Sequence, residues 1–346
     1  MQTDLKSMTE AECRGYMKAI GEKEFRGSQL YDWIHNRRCE SIDEMTNLSK
    51  PLRERLKEDC FYEPVEAVRH LVSKIDGTEK YAFRLSDGNV IETVLMKYEH
   101  GDSVCISSQA GCRMGCAFCA STVAGLQRNL TAGEMLEQIY HITARTGKKV
   151  SNVVIMGTGE PLDNYDNVIR FLHLLTDPKG YGLSARSITL STCGLVPRIH
   201  QLAEEGLPIT LAISLHAPDD ETRRQIMPIA RRYHIAEVLE AAEAYFKLTG
   251  RRITCEYSLI DGVNDSEDHA YSLARLLKGR GFHVNLISVN PIKERSFRES
   301  TESSVSAFKK ILEKYRINVT IRKKLGADID SACGQLRLEF SDSKET

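Results

Sequence analysis

Three cysteines stand close together in the run Cys112-Arg-Met-Gly-Cys116-Ala-Phe-Cys119, at C-x3-C-x2-C spacing. Three thiolates this close can surround one metal centre, but they leave a four-coordinate site incomplete. A [4Fe–4S] cluster held by only three cysteines keeps one iron without a protein ligand, and that iron can bind a small molecule. Phe118 is expected to shield the cluster from water. The spacing therefore predicts an iron–sulfur centre with an open iron, held by Cys112, Cys116 and Cys119.

A structural zinc site is the alternative for such a group of cysteines. Zinc sites usually combine two C-x2-C motifs or add histidines. The run contains one C-x2-C unit, offset by three residues from a third cysteine, and the chain has no second such unit. The pattern therefore favours iron and sulfide over zinc.

Polar residues follow the predicted strands at the points where those strands end. The second strand leads into Gly157-Thr158-Gly159-Glu160-Pro161, where glycine allows close backbone approach and a carboxylate can accept from an amino group. In a parallel barrel such strand ends meet at one mouth. One ligand is thus expected to span residues from several strand ends: Gly159, Glu160, Ser191, Ser214, Leu215, His216 and Asn290.

Two other cysteines stand in settings that suggest chemistry. Cys105 lies seven residues before Cys112, and Cys333 lies in a polar run after the last predicted strand. A thiol on a mobile loop can reach the barrel mouth and act as a nucleophile, which is the hypothesis for Cys333. The remaining cysteines are interpreted as small buried hydrophobic residues: Cys13, Cys39, Cys60, Cys193 and Cys255.

From residue 103 onward, apolar strands alternate with helical segments, which indicates an α/β fold with a parallel sheet. Six such units favour a partial (β/α)6 barrel over a complete eightfold one. The predicted strands are 104–107, 152–156, 187–191, 210–215, 252–260 and 284–289, with a last strand at 318–322. The predicted helices are 131–146, 165–176, 196–205, 236–248, 267–281 and 304–315.

The residues before the barrel divide into two parts. Residues 1–62 show short helices with capping boxes at Thr9 and Ser41, and residues 63–102 alternate as a β-meander. The pairs Asp76-Gly77 and Asp87-Gly88 suit its hairpin turns. The predicted organisation is a small N-terminal helical domain (1–62), a β-hairpin extension (63–102), a barrel core (103–340) and a tail (341–346).

Composition excludes few classes of partner. The chain of 346 residues has a formal net charge of -1, so a nucleic-acid surface is neither demanded nor excluded. The polar start of the chain has no apolar signal core, and no apolar stretch reaches the ~20 residues of a membrane span. Together with clustered cysteines, this favours the reducing cytoplasm.

The motifs together resemble one family. The runs 105–119, 159–161, 214–216, 262–265 and 328–336 resemble the radical S-adenosylmethionine (SAM) enzymes that methylate C2 of adenosine in 23S ribosomal RNA. The resemblance covers nearly the whole chain, with small departures at Ser121, Thr158 and Ser331. It implies a radical SAM barrel carrying a [4Fe–4S] cluster, two SAM molecules per turnover, and an N-terminal RNA-binding domain.

The resemblance also implies partners. They are 23S rRNA before full ribosome assembly, transfer RNA methylated at the adenosine 3′ of the anticodon, and a flavodoxin- or ferredoxin-type electron donor. The expected protein is a cytoplasmic monomer without a membrane partner. The N-terminal helices, Arg113, Arg128 and the run Arg322-Lys323-Lys324 are candidates for phosphate contacts, although each is equally compatible with a solvated surface.

By the same resemblance, a first SAM methylates Cys333. A second SAM is cleaved to a 5′-deoxyadenosyl radical, which takes a hydrogen from that methyl group, and the carbon radical adds to C2 of the base. Glu92 accepts the C2 proton, and Cys105 attacks the Cys333 sulfur, leaving a disulfide. The strand pattern alone would make Glu92 an exposed polar residue.

Two alternatives remain open. A sister family that methylates C8 of the same adenosine uses the same cysteines, although Pro161 after Glu160 favours the C2 family. A non-catalytic iron–sulfur or zinc RNA-binding protein would need the cluster cysteines but neither Cys333 nor Glu160.

Overall fold

The protein was analysed as a computed structural model, which describes residues 2–62, 64–99, 101–332 and 334–336. Cys333 and the tail 341–346, for which predictions were made, lie outside the described residues.

The N-terminal region is built from short helices and one small sheet. Its elements are β1 (Thr3–Asp4), α1 (Glu10–Ala19), α2 (Phe25–Tyr31), α3 (Lys50–Asp59) and β2 (Cys60–Phe61), with β1 parallel to β2. The predicted capping boxes at Thr9 and Ser41 are present. A Cβ on Gly27 would lie 2.3 Å from the backbone nitrogen of Arg14, so α1 and α2 pack at backbone contact.

Three antiparallel strands follow: β3 (Glu66–Val72), β4 (Glu79–Arg84) and β5 (Val90–Tyr98). The turns between them contain Gly77 and Gly88 at φ of 73° and 86°. These angles are in the left-handed region, which confirms the two predicted Asp-Gly turns.

Strands and helices then alternate to the end of the described chain. The strands are β6 (Gly101–Ile106), the short pair β7 (Gln109–Gly111) and β8 (Leu126–Asn129), then β9 (Asn152–Ile155), β10 (Ile188–Thr192), β11 (Thr210–Ser214), β12 (Ile253–Leu259), β13 (His283–Ser288) and β14 (Asn318–Ile321). The helices are α4 (Ala132–Thr146), α5 (Tyr165–Thr176), α6 (Val196–Glu204), α7 (Asp220–Ile226), α8 (Ile235–Thr249), α9 (Glu267–Leu277) and α10 (Glu302–Lys314).

One ten-stranded sheet joins the meander to the parallel strands, in the order β14-β13-β12-β11-β10-β9-β6-β5-β4-β3. Strand β6 pairs antiparallel to β5 and parallel to β9, and all pairs from β6 to β14 are parallel. Within the described residues β3 and β14 form the two edges, so the sheet does not close on itself. The α/β prediction with a partial parallel barrel is confirmed.

Two details differ from the sequence prediction. Helix α9 ends at Leu277 rather than at 281, because Gly279 and Gly281 both have positive φ. Helix α7 was not predicted, although Asp219 caps it by accepting from the backbone N–H of Thr222. It is short, and four of its residues are charged, so it lacks the apolar periodicity by which helices are recognised.

The N-terminal helices are docked onto the outer helices of the parallel sheet. His35 Nδ1 lies 2.8 Å from the hydroxyl of Tyr140 on α4, and the Tyr31 hydroxyl donates to Asp177. Lys6 forms a buried ion pair with Glu137 at 2.8 Å. No helix among the described residues is long and apolar enough to cross a membrane.

Candidate metal and cofactor site

A cavity that opens to solvent lies at the C-terminal ends of the parallel strands. It is lined from β9 across to β13, together with the loop after β7, which requires the sheet to curve around it. Most of the predicted ligand-binding residues line it: Cys112, Cys116, Cys119, Gly159, Glu160, Ser191, Ser214, His216 and Asn290. Leu215 does not line this cavity, because its fully buried side chain lies in the main core.

The cysteine loop is fixed by backbone hydrogen bonds. The N–H of Cys112 donates to Gly125 O, that of Cys119 to Cys116 O, and that of Ala117 to Ile226 O at the end of α7. The Cys112 and Cys116 thiols are buried, and Cys119 is half-buried. Burial raises the pKa of Cys112 to about 12 and raises the pKa of Cys116 as well. A metal bound here would therefore have to displace thiol protons.

The donor set suits an iron–sulfur cluster. Three thiolates are soft ligands of the kind that such clusters use. In the described parts of the chain, no three His, Cys, Asp or Glu side chains are placed to hold a single metal ion. The Phe118 ring packs edge-on against His216, with ring centroids 4.9 Å apart, and lines the same cavity. Cys112, Cys116 and Cys119 could thus hold a cluster beside an apolar wall.

Glu160 is a fixed, buried hydrogen-bond acceptor at the cavity wall. Its carboxylate accepts from the backbone N–H of Cys193 at 2.7 Å and from that of Leu162 at 3.1 Å. Burial raises its pKa. Gly159 before it has φ of 108°, and a Cβ there would lie 2.6 Å from the Gln109 side chain. Glycine at 159 therefore lets the chain deliver Glu160 to the cavity.

His216 is held in an unusual backbone conformation, with φ of 56°. Its Nδ1 accepts the backbone N–H of Ser258 at 2.9 Å, so in the neutral ring the proton is on Nε2. Burial lowers its pKa to about 3, which keeps the ring neutral. Asn264 clamps the same turn by donating to the carbonyls of His216 and Ser258. His216 can thus offer an uncharged N–H donor to a ligand.

Among the cavity residues that sequence reasoning missed, two have polar contacts of interest. Glu256 on β12 is buried, and it accepts from Asn285 at 2.9 Å and lies 3.9 Å from Arg322. An acidic residue inside an apolar strand was the signal that could have identified it. Cys193 is buried as predicted, but it also lines the cavity and its backbone N–H binds Glu160.

A second cavity adjoins the first and is lined by Cys105. The two share Met156, Asn290 and Arg322, and Ala332 lines the second. Cys105 is therefore close to the cluster site but separate from it.

Glu92 lines neither cavity. It is 8% exposed and forms an ion pair with Lys80 at 2.7 Å, so it is not the exposed residue that the strand pattern suggested. Lys80 also donates to the carbonyl of Asp330, which links Glu92 to the C-terminal segment.

This C-terminal segment, residues 325–332 and 334–336, is tied to two neighbours. The turn of the β3–β4 hairpin holds it through Asp328, whose carboxylate accepts from Ser73 Oγ at 2.6 Å and from the N–H of Lys74 at 2.9 Å. On the other side, the N–H of Ala120 donates to Gly334 O at 2.7 Å. The segment thus lies between the hairpin and the cysteine loop.

Several candidates for RNA contact are engaged within the protein. Arg113 pairs with Asp163, and Lys324 pairs with Glu299 at 2.6 Å. Arg128 bridges Asp87 and Glu134, an arrangement that stabilises the entry to α4. These pairs leave less of the positive charge available to phosphate than the sequence suggested.

Comparison with known proteins gives consistent matches. Residues 106–274 match the model of the radical SAM superfamily, and residues 3–61 match the ribosomal RNA large subunit methyltransferase N-terminal domain. A protein of Lachnoclostridium phytofermentans described as a probable dual-specificity RNA methyltransferase RlmN is 56% identical over 98% of this chain and 95% of that protein. A protein of Lachnospira eligens with the same description is 57% identical over 98% and 97% of the two chains.

A solved structure also matches the fold of this chain closely. The crystal structure of a radical SAM methyltransferase from Sphaerobacter thermophilus superposes with a TM-score of 0.94 at 43% identity. The match covers 97% of this chain and all of that one.

Proposed function

The chain belongs to the RlmN-type family of radical SAM methyltransferases, and on that premise we propose that it methylates C2 of an adenosine in the peptidyl-transferase region of 23S rRNA. The second proposed substrate is transfer RNA, at C2 of the adenosine 3′ of the anticodon. One observation carries the proposal: the thiols of Cys112, Cys116 and Cys119 and the buried carboxylate of Glu160 line one cavity, in a chain whose near full-length relatives are described as dual-specificity RNA methyltransferases.

The enzyme uses a [4Fe–4S] cluster and SAM, as its superfamily does. Cys112, Cys116 and Cys119 would hold the cluster, which when bound supplies the electron that cleaves SAM to a 5′-deoxyadenosyl radical. Glu160 would accept from the SAM amino group, since its carboxylate is buried and is fixed by two backbone N–H groups. Gly159, Ser191, Ser214, His216 and Asn290 would position the rest of that ligand.

A radical route suits the proposed target atom. Adenine C2 is a weakly nucleophilic sp² carbon, so its direct methylation by SAM is implausible. We assign Cys333 as the thiol that carries the methyl group to the base. Cys105 would then attack the Cys333 sulfur, release the methylated base and leave a disulfide for reduction. This is supported by the position of Cys105 in a cavity that Ala332 also lines.

Glu92 is proposed as the acceptor of the C2 proton. Its place on β5, the strand that pairs with the Cys105 strand β6, supports this role. The ion pair with Lys80 keeps it oriented, and the Lys80–Asp330 hydrogen bond joins that pair to the segment before Cys333.

RNA is proposed to enter from the side of the second cavity with its target base extruded from the stack. We propose residues 1–62 as an RNA-binding domain, 63–102 as the hairpin extension and 103–340 as the catalytic core. A flavodoxin- or ferredoxin-type protein would deliver electrons to the enzyme. The enzyme itself would act as a monomer in the cytoplasm.

Nucleoside mass spectrometry of RNA from cells lacking the gene tests the function. We expect 2-methyladenosine to disappear from both 23S rRNA and transfer RNA. The wild-type gene should restore it, whereas Cys333→Ala and Cys105→Ala variants should not. Loss from rRNA alone would remove the transfer RNA substrate from the proposal.

The alternatives give different results. Loss of 8-methyladenosine instead of 2-methyladenosine would assign the enzyme to the C8 chemistry. A purified, iron-loaded protein that never cleaves SAM under reducing conditions would be a non-catalytic RNA-binding protein.

A further inference from the structure

Arg223 on α7 is the largest side chain that is completely buried in the described structure, at 0% exposure. Its Nη2 donates to the carbonyl of Cys193 at 2.7 Å and to that of Ser214 at 3.2 Å, and its Nε donates to Leu215 O at 3.1 Å. These carbonyls follow β10 and end β11, beside the cluster cavity. Among the described residues, Nη1 has no hydrogen-bond partner.

No carboxylate within the described ranges forms an ion pair with this guanidinium. Asp220 on the same helix instead binds His234 and the N–H of Ile235. Glu160 accepts from Cys193 and Leu162. Burial lowers the pKa of Arg223, yet arginine stays protonated in proteins, so a full positive charge is present. Buried charges are normally paired or bound to metal sites.

The charges of two thiols near the cavity would favour the charged guanidinium more strongly than Asp220 does. Cys116 and Cys193 both interact electrostatically with Arg223, and each favours its charged form. Asp220 also favours the charged guanidinium, but among the described residues no carboxylate forms an ion pair with it, so the cation lies next to a predicted cluster ligand with little compensation. Three thiolates outweigh the positive charge of an oxidised cluster core, and one-electron reduction makes the assembly more negative.

We propose that Arg223 is the buried counter-charge of the iron–sulfur cluster, and that its positive charge favours assembly of the cluster and the cluster's reduced state. Arg223 is also a positioning residue, because it holds the ends of β10 and β11 at the cavity. The inference rests on the proposed cluster ligands. The step that it influences is transfer of one electron from a low-potential reductant to the oxidised cluster, with no bond made or broken in the protein. A fixed positive charge raises the potential of that step, because it stabilises the more negative state.

Redox titration of the reconstituted holoprotein, followed by electron paramagnetic resonance with a low-potential chemical reductant, tests this. Arg223→Gln and Arg223→Met remove the charge, and Arg223→Lys keeps it while losing the planar fork of donors. We expect the neutral variants to lower the equilibrium constant for reduction about tenfold, which is about 59 mV for one electron, and Arg223→Lys to stay near wild type. Arg224→Gln is the matched control, because it removes the same charge from an exposed neighbour on the same helix.

Iron content and circular dichroism accompany each titration. Neutral variants that fold but lose iron, while Arg223→Lys keeps it, also support the proposal. It is overturned if a neutral variant binds four irons with an unchanged potential. The counter-charge role is equally overturned if Arg223→Lys fails together with the neutral variants, since the carbonyl bonds of the positioning role would then account for the whole effect. Wild-type protein that binds no iron would instead refute the proposed function.

Discussion

The predicted role of Glu160 in binding SAM depends on the contacts around its carboxylate more than on its being an acidic residue. Both carboxylate oxygens already accept backbone N–H groups, so the side chain cannot turn away from the cavity. An ammonium group placed there would meet an acceptor that needs no reorganisation. Cys193 is important for the same reason, because its backbone N–H holds one of these oxygens.

Glu160→Gln should weaken SAM binding while leaving the cluster in place. A hydrogen bond to a charged group contributes about 1.5–3 kcal/mol, so the Kd for SAM is expected to rise by about ten- to a hundredfold. Equilibrium dialysis with radiolabelled SAM on the iron-loaded protein measures this. Asp166→Asn, the same change at an exposed position on α5, should have no effect. Unchanged affinity in Glu160→Gln would remove Glu160 from the SAM site.

At the scale of elements, the β3–β4 hairpin supports the C-terminal segment. Asp328 and the hairpin turn share two hydrogen bonds, and Asp76 accepts from the N–H of Gly326 at 2.9 Å. The segment is therefore held by polar contacts from a distant part of the sequence, in addition to the packing of Leu336 with Met96 and Cys105. The position of the segment relative to Cys105 and Glu92 depends on these hydrogen bonds with the hairpin.

Asp328→Ala should therefore slow methylation of RNA without affecting cleavage of SAM. Small misplacements of a reacting group cost about tenfold or more in rate, and we expect a loss of that size. Single-turnover methylation and 5′-deoxyadenosine release are measured on the same preparation. Lys74→Ala is the control, since only the backbone of Lys74 takes part in the contact. If both reactions fall together, the segment supports cofactor binding instead.

At the scale of the whole molecule, the N-terminal helical region packs against helix α4 of the α/β region at an interface that contains His35. Its ring is fully buried against Tyr140, and burial lowers its pKa to about 3. In the unfolded chain, the pKa of His35 is the ordinary value of about 6.5. Between pH 3 and pH 6.5 the unfolded chain therefore binds more protons than the folded chain. The stability from a neutral His35 is complete above pH 6.5 and is lost as the pH falls through this window.

Urea unfolding at a series of pH values checks this linkage. Below pH 6 the free energy of unfolding of the wild type should fall more steeply than that of His35→Gln, by about 1.4 kcal/mol per pH unit. His200→Gln changes the same residue type at an exposed position and should behave as wild type. Parallel curves for the wild type and His35→Gln would show that the imidazole is protonated in the folded protein.

The sequence by itself determined the alternation of strands and helices, the Asp-Gly turns and the cysteine loop. These features depend on local patterns: apolar periodicity, glycine at positive φ, and the spacing of ligands within eight residues. Cys112, Cys116 and Cys119 could be proposed for the same reason, because their proximity is set by the chain itself.

Only the tertiary structure decided which distant residues share a site. It placed Glu256 and Arg223 beside the cavity, put Leu215 in the core, and paired Glu92 with Lys80. Each of these depends on the curvature of the sheet and on contacts between remote segments. Burial follows from such packing, and burial is what turns an acidic or basic residue into a group with altered charge and reactivity.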